Sequence, residues 1–241
     1  MTYAPTSPQR MARTAGLFYL ITVLTGLFAE IAVRGNLIVS GDAAATARNI
    51  LASEGLWRLG FAADLIGGAA YTVVTLLLYE LMKPVSKSLS LLAAFFSLVG
   101  IAIGGGAALA HLAPLLLLKA AYMTAFTTAQ LQAMALFALR LHANGYLVAL
   151  VFFALYEIVL GYLIFASSFF PRVLGVLVAL GGLAFFVNSF ALFLAPAVGN
   201  ALNSYLLALD GLGEISLTLW LLVMGVNAPK WNARAYPTSV S

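Results

Sequence analysis

The chain has 241 residues, of which 63% are hydrophobic and 8% are charged, with a net charge of +4 and no cysteine. Soluble domains carry about 25% charged residues, so this composition excludes a soluble fold and indicates that lipid surrounds most of the chain. The lack of cysteine excludes disulfides, thiolate metal centres and iron–sulfur clusters, and the lack of a basic cluster argues against nucleic-acid binding.

The apolar runs predict six membrane-spanning helices, because one span needs about 20 mainly apolar residues. We expect a polar tail over residues 1–13, a single transmembrane domain over 14–226 and a second polar tail over 227–241, disordered at its end. The fold is therefore predicted to be all-α, a polytopic helical membrane protein. In chain order the predicted spans are Thr14–Val33, Leu56–Met82, Ser88–His111, Gly145–Ser167, Val173–Ala195 and Ser204–Val226.

Two longer connections between spans predict two short amphipathic helices on the outer membrane surface. Residues 34–55 contain a short helix capped by Ser40 or Asp42. Residues 119–144 place apolar side chains at helical spacing and predict a second surface helix, with a re-entrant segment as the alternative. His142 then lies in solvent before span four, and the segment PAVGNALN after span five is predicted to be a loop.

The distribution of cations predicts the orientation. Six spans put both termini on one side of the membrane. The short connections that would share that side carry Lys83, Lys87 and Arg172, whereas PAVGNALN carries no cation. The positive-inside rule then predicts that both termini are cytoplasmic. Glu80 lies at the same end of span two, three residues before Lys83, and is expected to pair with it.

Polar residues inside the spans form the candidate site, because ionisable groups at membrane depth are costly and commonly mark function. Most fall in the outer half of the membrane at a rise of about 1.5 Å per residue. The acids outnumber the cations, so some are protonated, hydrogen-bonded or bound to a metal or cation. The alternative is a set of separate polar contacts that fix helix register. The candidate pocket comprises Glu30, Arg58, Asp64, His111, Glu157, Asn188, Asp210 and Glu214.

Glu157 is the deepest of these acids, near the middle of span four. A carboxylate at that depth costs about 2.5 kcal/mol or more. Since no cation lies within a helical turn of Glu157, we expect it to be protonated or held by a group from another helix. The expected partners are Arg58, His111, or a ligand shared with Asp64 and Glu214.

The stretch YEIVLGYLIFASSFFPRVLGVLVALGGL combines GYLI, a serine pair, PR and LGVL. With RTAGLFYLITVLTGLFAE, LYELMKPVSKSLSLLA and LWLLVMGV, it resembles a bacterial membrane family known only as a domain of unknown function, number forty-three eighty-six. The resemblance covers roughly residues 10–226. It implies a multi-span protein of a bacterial inner membrane and supplies no catalytic or binding residues.

These patterns favour a protein that binds or transports a small cation or protonated solute through an acidic pocket. One alternative is an intramembrane enzyme, in which carboxylates and His111 hold a metal ion that acts on a lipid-like substrate. Another is a non-catalytic assembly subunit. The ionisable residues are scattered singly, which favours a non-enzymatic role. No nucleotide motif is present and neither histidine suits haem, so we predict no cofactor. The expected partners are the lipid bilayer and a small cationic or protonated ligand.

Overall fold

A computed structural model describes residues 7–119 and 124–237. Six of its helices are long and apolar enough to cross a membrane, and the described residues contain no strand, which confirms the all-α polytopic fold. Residues 1–6, 120–123 and 238–241, which include parts of both predicted tails and of the 119–144 segment, lie outside the described residues. The helices are α1 (Pro8–Leu37), α2 (Ala43–Ala52), α3 (Glu54–Met82), α4 (Lys87–Leu118), α5 (Thr128–Ala166), α6 (Arg172–Leu194), α7 (Pro196–Val223) and α8 (Ala228–Ala235).

The first span is longer than predicted at both ends. Helix α1 begins at Pro8, within the predicted polar tail, where the missing N–H of proline costs no helical hydrogen bond. Its later part, Phe28–Arg34, is π-helical. Such wider turns are rare and are often found at functional sites. Here the π-helical segment carries the two charged residues Glu30 and Arg34.

The first predicted connecting helix is present as α2, and Asp42 is its cap. The Asp42 backbone is extended, and its side chain accepts a 2.8 Å hydrogen bond from the Ala45 N–H. This satisfies one of the amide donors that a helix N-terminus leaves free. The sequence left Ser40 and Asp42 as alternatives, and the geometry selects Asp42.

The second predicted connecting helix is not a separate element. Residues 128–144 form the first part of α5, which continues without a break into span four. Gly145 suggested a boundary, but here it is a packing residue. A Cβ atom added to Gly145 would lie 2.9 Å from the Ala107 side chain, so glycine permits close approach of another helix.

Two further segments are helical where a loop or tail was expected. The predicted loop PAVGNALN forms the first two turns of α7, and only Ala195 separates α7 from α6. Pro196 suits a helix start, and Gly199 fits closely against the backbone of Leu192. The predicted C-terminal tail contains α8, which is capped by Asn227 and buries Trp231.

The described chain divides into two compact units. The first unit comprises residues 7–20, 71–100 and 149–237. Glycines bring its helices α5, α6 and α7 together, and added Cβ atoms would lie 2.6 Å from Ala179 N at Gly161 and 2.8 Å from Leu177 O at Gly213. Such small residues let helix backbones approach closely in lipid.

Polar contacts close one end of the first unit. The Gln9 side chain donates to Met224 O at 2.8 Å and accepts from Val226 N at 2.9 Å. Trp231 Nε1 donates to Leu81 O at 2.9 Å. The Arg234 guanidinium donates to the carbonyl groups of both Pro84 and Ala166. The first and last described segments of the chain and two of its turns therefore meet at this end of the unit.

The second unit comprises residues 21–70 and, apart from the four that are not described, residues 101–148. Its buried core consists of apolar side chains from the later part of α1 and from α2, α3, α4 and α5: Val33, Leu37, Ile50, Trp57, Leu115 and Leu139. Trp57 is fully buried in this core.

Candidate functional site

The structure brings the predicted site residues together in two groups, one within each unit. The carboxyl cluster of the first unit comprises Glu157, Asp210 and Glu214. The histidine cluster of the second unit contains the predicted residues Glu30, Asp64 and His111, together with Arg34 and His142, which the candidate list omitted.

The carboxyl cluster depends on two adjacent glycines of α6. A Cβ atom added to Gly182 would lie 2.8 Å from Glu157 Cβ on α5, and one added to Gly181 would lie 3.2 Å from Asp210 Oδ1 on α7. Any side chain at these positions would push one of the two acidic helices away. The glycine pair therefore allows Glu157 and Asp210 to approach each other beside α6.

Glu157 and Asp210 are 2% and 3% exposed, and their carboxyl groups lie within hydrogen-bonding range of each other. No N–H or O–H group of the described residues donates to Glu157 Oε1 or Asp210 Oδ1. No lysine, arginine or histidine of the described residues pairs with either acid. A hydrogen bond between two carboxyl groups needs a proton, so this pair is suited to sharing one.

Buried tyrosines adjoin the third acid of the cluster. Tyr19 donates a 3.0 Å hydrogen bond to Glu214 Oε1, and its hydroxyl lies 3.5 Å from that of Tyr71. The Tyr71 ring meets the ring of Tyr156 edge to face, with centroids 6.0 Å apart. Sequence reasoning did not include these tyrosines in the candidate site. Their positions within apolar spans were an available signal, because a buried tyrosine hydroxyl needs a polar partner.

Arg34 is the central cation of the histidine cluster. Its guanidinium binds Asp64 through two nitrogens, at 2.7 and 3.2 Å, and its Nε donates to Glu30 at 2.7 Å. One of the same nitrogens lies 3.2 Å from His111 Nδ1. The Asp64 side chain is 18% exposed and that of Glu30 is 70% exposed, so Glu30 is not the interior residue that was predicted.

Trp57 fixes the position of His111. Their rings stack with centroids 4.0 Å apart and planes 7° apart. Trp57 Nε1 donates to His111 O at 3.0 Å, and His111 Nε2 lies 3.1 Å from Trp57 O. Two reciprocal hydrogen bonds and a stacked contact therefore hold this imidazole.

His142 belongs to the interior of the second unit and not to solvent, contrary to the sequence prediction. It is 8% exposed, its Nδ1 lies 2.8 Å from Ala107 O, and its ring is 5.8 Å from that of His111. The prediction was wrong because α5 continues through residue 142, which turns this side chain towards α4.

The other two predicted residues belong to neither cluster. Arg58, an expected partner of Glu157, is mostly exposed and pairs with Glu54, which also binds Lys119. Asn188 is fully buried and donates to Asn203 Oδ1 at 2.9 Å.

At the end of the second span, the expected pair of Glu80 and Lys83 is present at 3.0 Å. Its hydrogen bond to Glu80 raises the pKa of Lys83. This pair lies at the end of α3 and belongs to neither cluster, so it provides a control position for the experiments below.

A family model described as a domain of unknown function, DUF4386, matches residues 14–225. No match was found among curated proteins or among solved structures.

Proposed function

This chain belongs to the family described as a domain of unknown function, DUF4386, and we propose that it binds a small cation or protonated solute at the carboxyl cluster. One observation carries the proposal: Glu157 and Asp210 come from different helices to within hydrogen-bonding range, and each has an oxygen to which no described N–H or O–H donates.

The chemistry of two buried carboxyl groups supports this function. Two carboxylates side by side in a low-dielectric interior repel each other, so one takes a proton or both share a cation. Oxygen atoms are the ligands that hard metal cations prefer, and a carboxylate equally accepts hydrogen bonds from an ammonium group. When a cation enters, the shared proton leaves. The site therefore exchanges protons for cations, and such exchange is the basis of coupled transport.

Glu214, which is hydrogen-bonded to Tyr19, adds a third carboxyl group to the proposed site beside Glu157 and Asp210. The Tyr19 hydroxyl donates to Glu214 and lies 3.5 Å from the Tyr71 hydroxyl. Because a hydroxyl group both donates and accepts, the Tyr19 hydroxyl can accept a hydrogen bond from Tyr71 while it donates one to Glu214. Glu214 also interacts electrostatically with Glu157, which links its protonation to that of the Glu157–Asp210 pair.

We place this function in a bacterial inner membrane with both termini in the cytoplasm. The six apolar helices support a multi-pass membrane protein. The bacterial source rests on the family resemblance, and the orientation rests on the cation distribution of the short connections.

Cation-dependent proton release tests the proposal directly. The purified full-length protein is placed in weakly buffered detergent solution, and Na⁺, K⁺ or methylammonium is added while a pH indicator and the melting temperature are recorded. We expect one of these cations to release protons and to stabilise the protein, by about 2.7 kcal/mol at a concentration 100 times its Kd. Flux of the same cation into proteoliposomes then distinguishes transport from binding alone.

Glu157→Gln and Asp210→Asn are the informative variants, because an amide keeps the shape of the acid but cannot release the proton. Both should fold and lose proton release. Glu80→Gln removes an acid of the Glu80–Lys83 pair and should behave as the wild type. An absent response in the wild type, or an equal response in Glu157→Gln, would assign the cluster a packing role and reject the proposed function.

A further inference from the structure

We propose that Asp64, His111 and His142 of the second unit form a binding site for one divalent first-row metal ion of the Zn²⁺ class. Each residue offers one ligand atom, and these three atoms lie within 4.8 Å of one another. They come from three different helices, α3, α4 and α5, so the ion would join separate parts of this unit. Both histidines are buried.

The hydrogen bonds of the two imidazoles determine which nitrogen of each ring keeps a free lone pair. His111 Nε2 faces Trp57 O, and His142 Nδ1 faces Ala107 O. A carbonyl oxygen only accepts, so each of these nitrogens carries the ring proton and donates it. In a neutral imidazole the other nitrogen is then the acceptor, which is His111 Nδ1 in one ring and His142 Nε2 in the other.

Backbone carbonyl groups that accept the second N–H are a common feature of metal-binding histidines. They fix the tautomer and the ring orientation, and their loss usually weakens metal binding about 10- to 100-fold. Here both rings have such a partner, and stacking on Trp57 holds His111 further. The outer shell of the proposed site is therefore already in place.

Arg34 occupies the position that a metal ion would take in this arrangement. Its guanidinium contacts Asp64 Oδ2 at 2.7 Å and His111 Nδ1 at 3.2 Å. Arginine has no acceptor atom, so His111 Nδ1 must use its lone pair towards Arg34, and a metal ion would use that same lone pair. Arg34 and the ion consequently compete for His111 and Asp64.

Glu30 allows Arg34 to leave without losing its charge partner. Arg34 Nε is bound to Glu30 at 2.7 Å, and the Glu30 side chain is 70% exposed. A displaced guanidinium can swing outwards and keep this contact. Both residues lie on the π-helical segment of α1, a geometry often found at functional sites.

The donor set determines which ion fits. Two imidazole nitrogens and one carboxylate suit Zn²⁺ and its first-row neighbours, whereas Mg²⁺ and Ca²⁺ prefer oxygen ligands. Ligand atoms about 2.1 Å from a tetrahedral ion lie about 3.4 Å apart, so the three atoms must draw closer when Arg34 leaves. Three protein ligands leave a fourth position for water, as in catalytic zinc sites.

Metal binding to the purified full-length protein tests this site. The chain contains only two histidines, so a purification tag without histidine gives an unambiguous measurement. Zn²⁺ is titrated against a chromogenic chelator, and Co²⁺ is used to record the visible absorption of a bound ion. We expect one equivalent of Zn²⁺ per chain in the wild type. Asp64→Asn, His111→Gln and His142→Gln should each weaken binding about tenfold or more.

The Arg34→Gln variant distinguishes a metal-binding role of this cluster from a role as a simple buried ion pair. Removing the competing guanidinium should strengthen Zn²⁺ binding relative to the wild type. Glu54→Gln, which changes an acid of the same unit that pairs with Arg58 and Lys119, should bind Zn²⁺ as the wild type does. Absence of stoichiometric binding in the wild type, or weaker binding in folded Arg34→Gln, would overturn the proposal. Glu157→Gln should leave Zn²⁺ binding unchanged, so this test is independent of the proposed function.

Discussion

Thr75 and Ser97 are two buried hydroxyl residues of the first unit whose oxygens lie 2.6 Å apart. Thr75 also donates to Tyr71 O at 2.8 Å, so Ser97 must be the donor in the contact between the two hydroxyls. In lipid such pairs join neighbouring helices, and each contributes about 0.6 kcal/mol on average and up to about 1.7 kcal/mol.

A double-mutant cycle tests this pair. Thr75→Val keeps the shape but leaves the Ser97 hydroxyl without its acceptor, so we expect a loss of about 1 kcal/mol in the free energy of unfolding. Adding Ser97→Ala to that variant removes the unpaired group and should recover part of the loss. The measurement is unfolding of the purified protein in mixed micelles with increasing SDS. Strictly additive single losses would show that the two hydroxyls are not coupled.

Helix α6 shows how much of a membrane fold depends on residues without side chains. Gly182 lies against Ala154 O and Glu157 Cβ of α5, and Gly181 lies against Asp210 of α7. The helix can therefore contact a neighbour on each side at close range. Glu157 and Asp210 of the carboxyl cluster lie beside these two glycines.

Gly182→Ala should be destabilising for this reason. The added methyl group would lie 2.7 Å from Ala154 O, which is backbone and cannot move without shifting α5. Overpacking of this kind costs about 1–3 kcal/mol. The variant should also separate Glu157 from Asp210 and reduce cation-dependent proton release.

Gly105→Ala is the matched control, because an added Cβ there meets nothing within 4 Å. In this open helical position alanine is favoured over glycine by about 1 kcal/mol, so the control should be neutral or stabilising. Equal losses in both variants would mean that the Gly182 contact does not hold α5 against α6.

Elements with strong local signals could be predicted from the sequence. The six spans follow from apolar length, the Asp42 cap from its side-chain chemistry, and the pair of Glu80 and Lys83 from helical spacing. Local signals misled where a residue type has two uses. Gly145 begins a predicted span and Pro196 a predicted loop, whereas Gly145 packs against another helix in mid-helix and Pro196 begins a helix.

The partners of the site residues could not be predicted, because they depend on which helices are neighbours. Asp210 lies 53 residues beyond Glu157 in the chain, and only the packing of α5, α6 and α7 brings the two acids together. Arg34 lies just beyond the predicted first span, and α1 extends far enough to carry it.

At the scale of the whole molecule, the closed end of the first unit brings together segments that the cation distribution predicts to be cytoplasmic. Gln9 binds the segment after α7, and Arg234 binds the turn after α3 and the end of α5. The first and last described segments of this unit are therefore on the same side. Its lysines and arginines all lie in or next to these segments and turns: Arg10, Arg13, Lys83, Lys87, Arg172, Lys230 and Arg234.

Single-cysteine labelling in intact cells tests the orientation, since the natural chain has no cysteine. Ser88, Arg172 and Lys230 are exposed positions expected on the cytoplasmic side, and Ser40 is an exposed position expected outside. A membrane-impermeant maleimide should label Ser40→Cys in intact cells and the other three variants only after permeabilisation. External labelling at position 172 would reverse the predicted topology.

The first unit also imposes an order on biosynthesis. A ribosome delivers residues from the N-terminus onwards, but this unit combines residues 7–20 with residues 71–100 and 149–237, which are made later. Tyr19 enters the membrane before its acceptor Glu214, which is 195 residues away, has been made. The contacts of Trp231 and Arg234 form only after α8 has been synthesised. A nascent chain therefore holds Tyr19 in its first span without the Glu214 acceptor until α7 has been made.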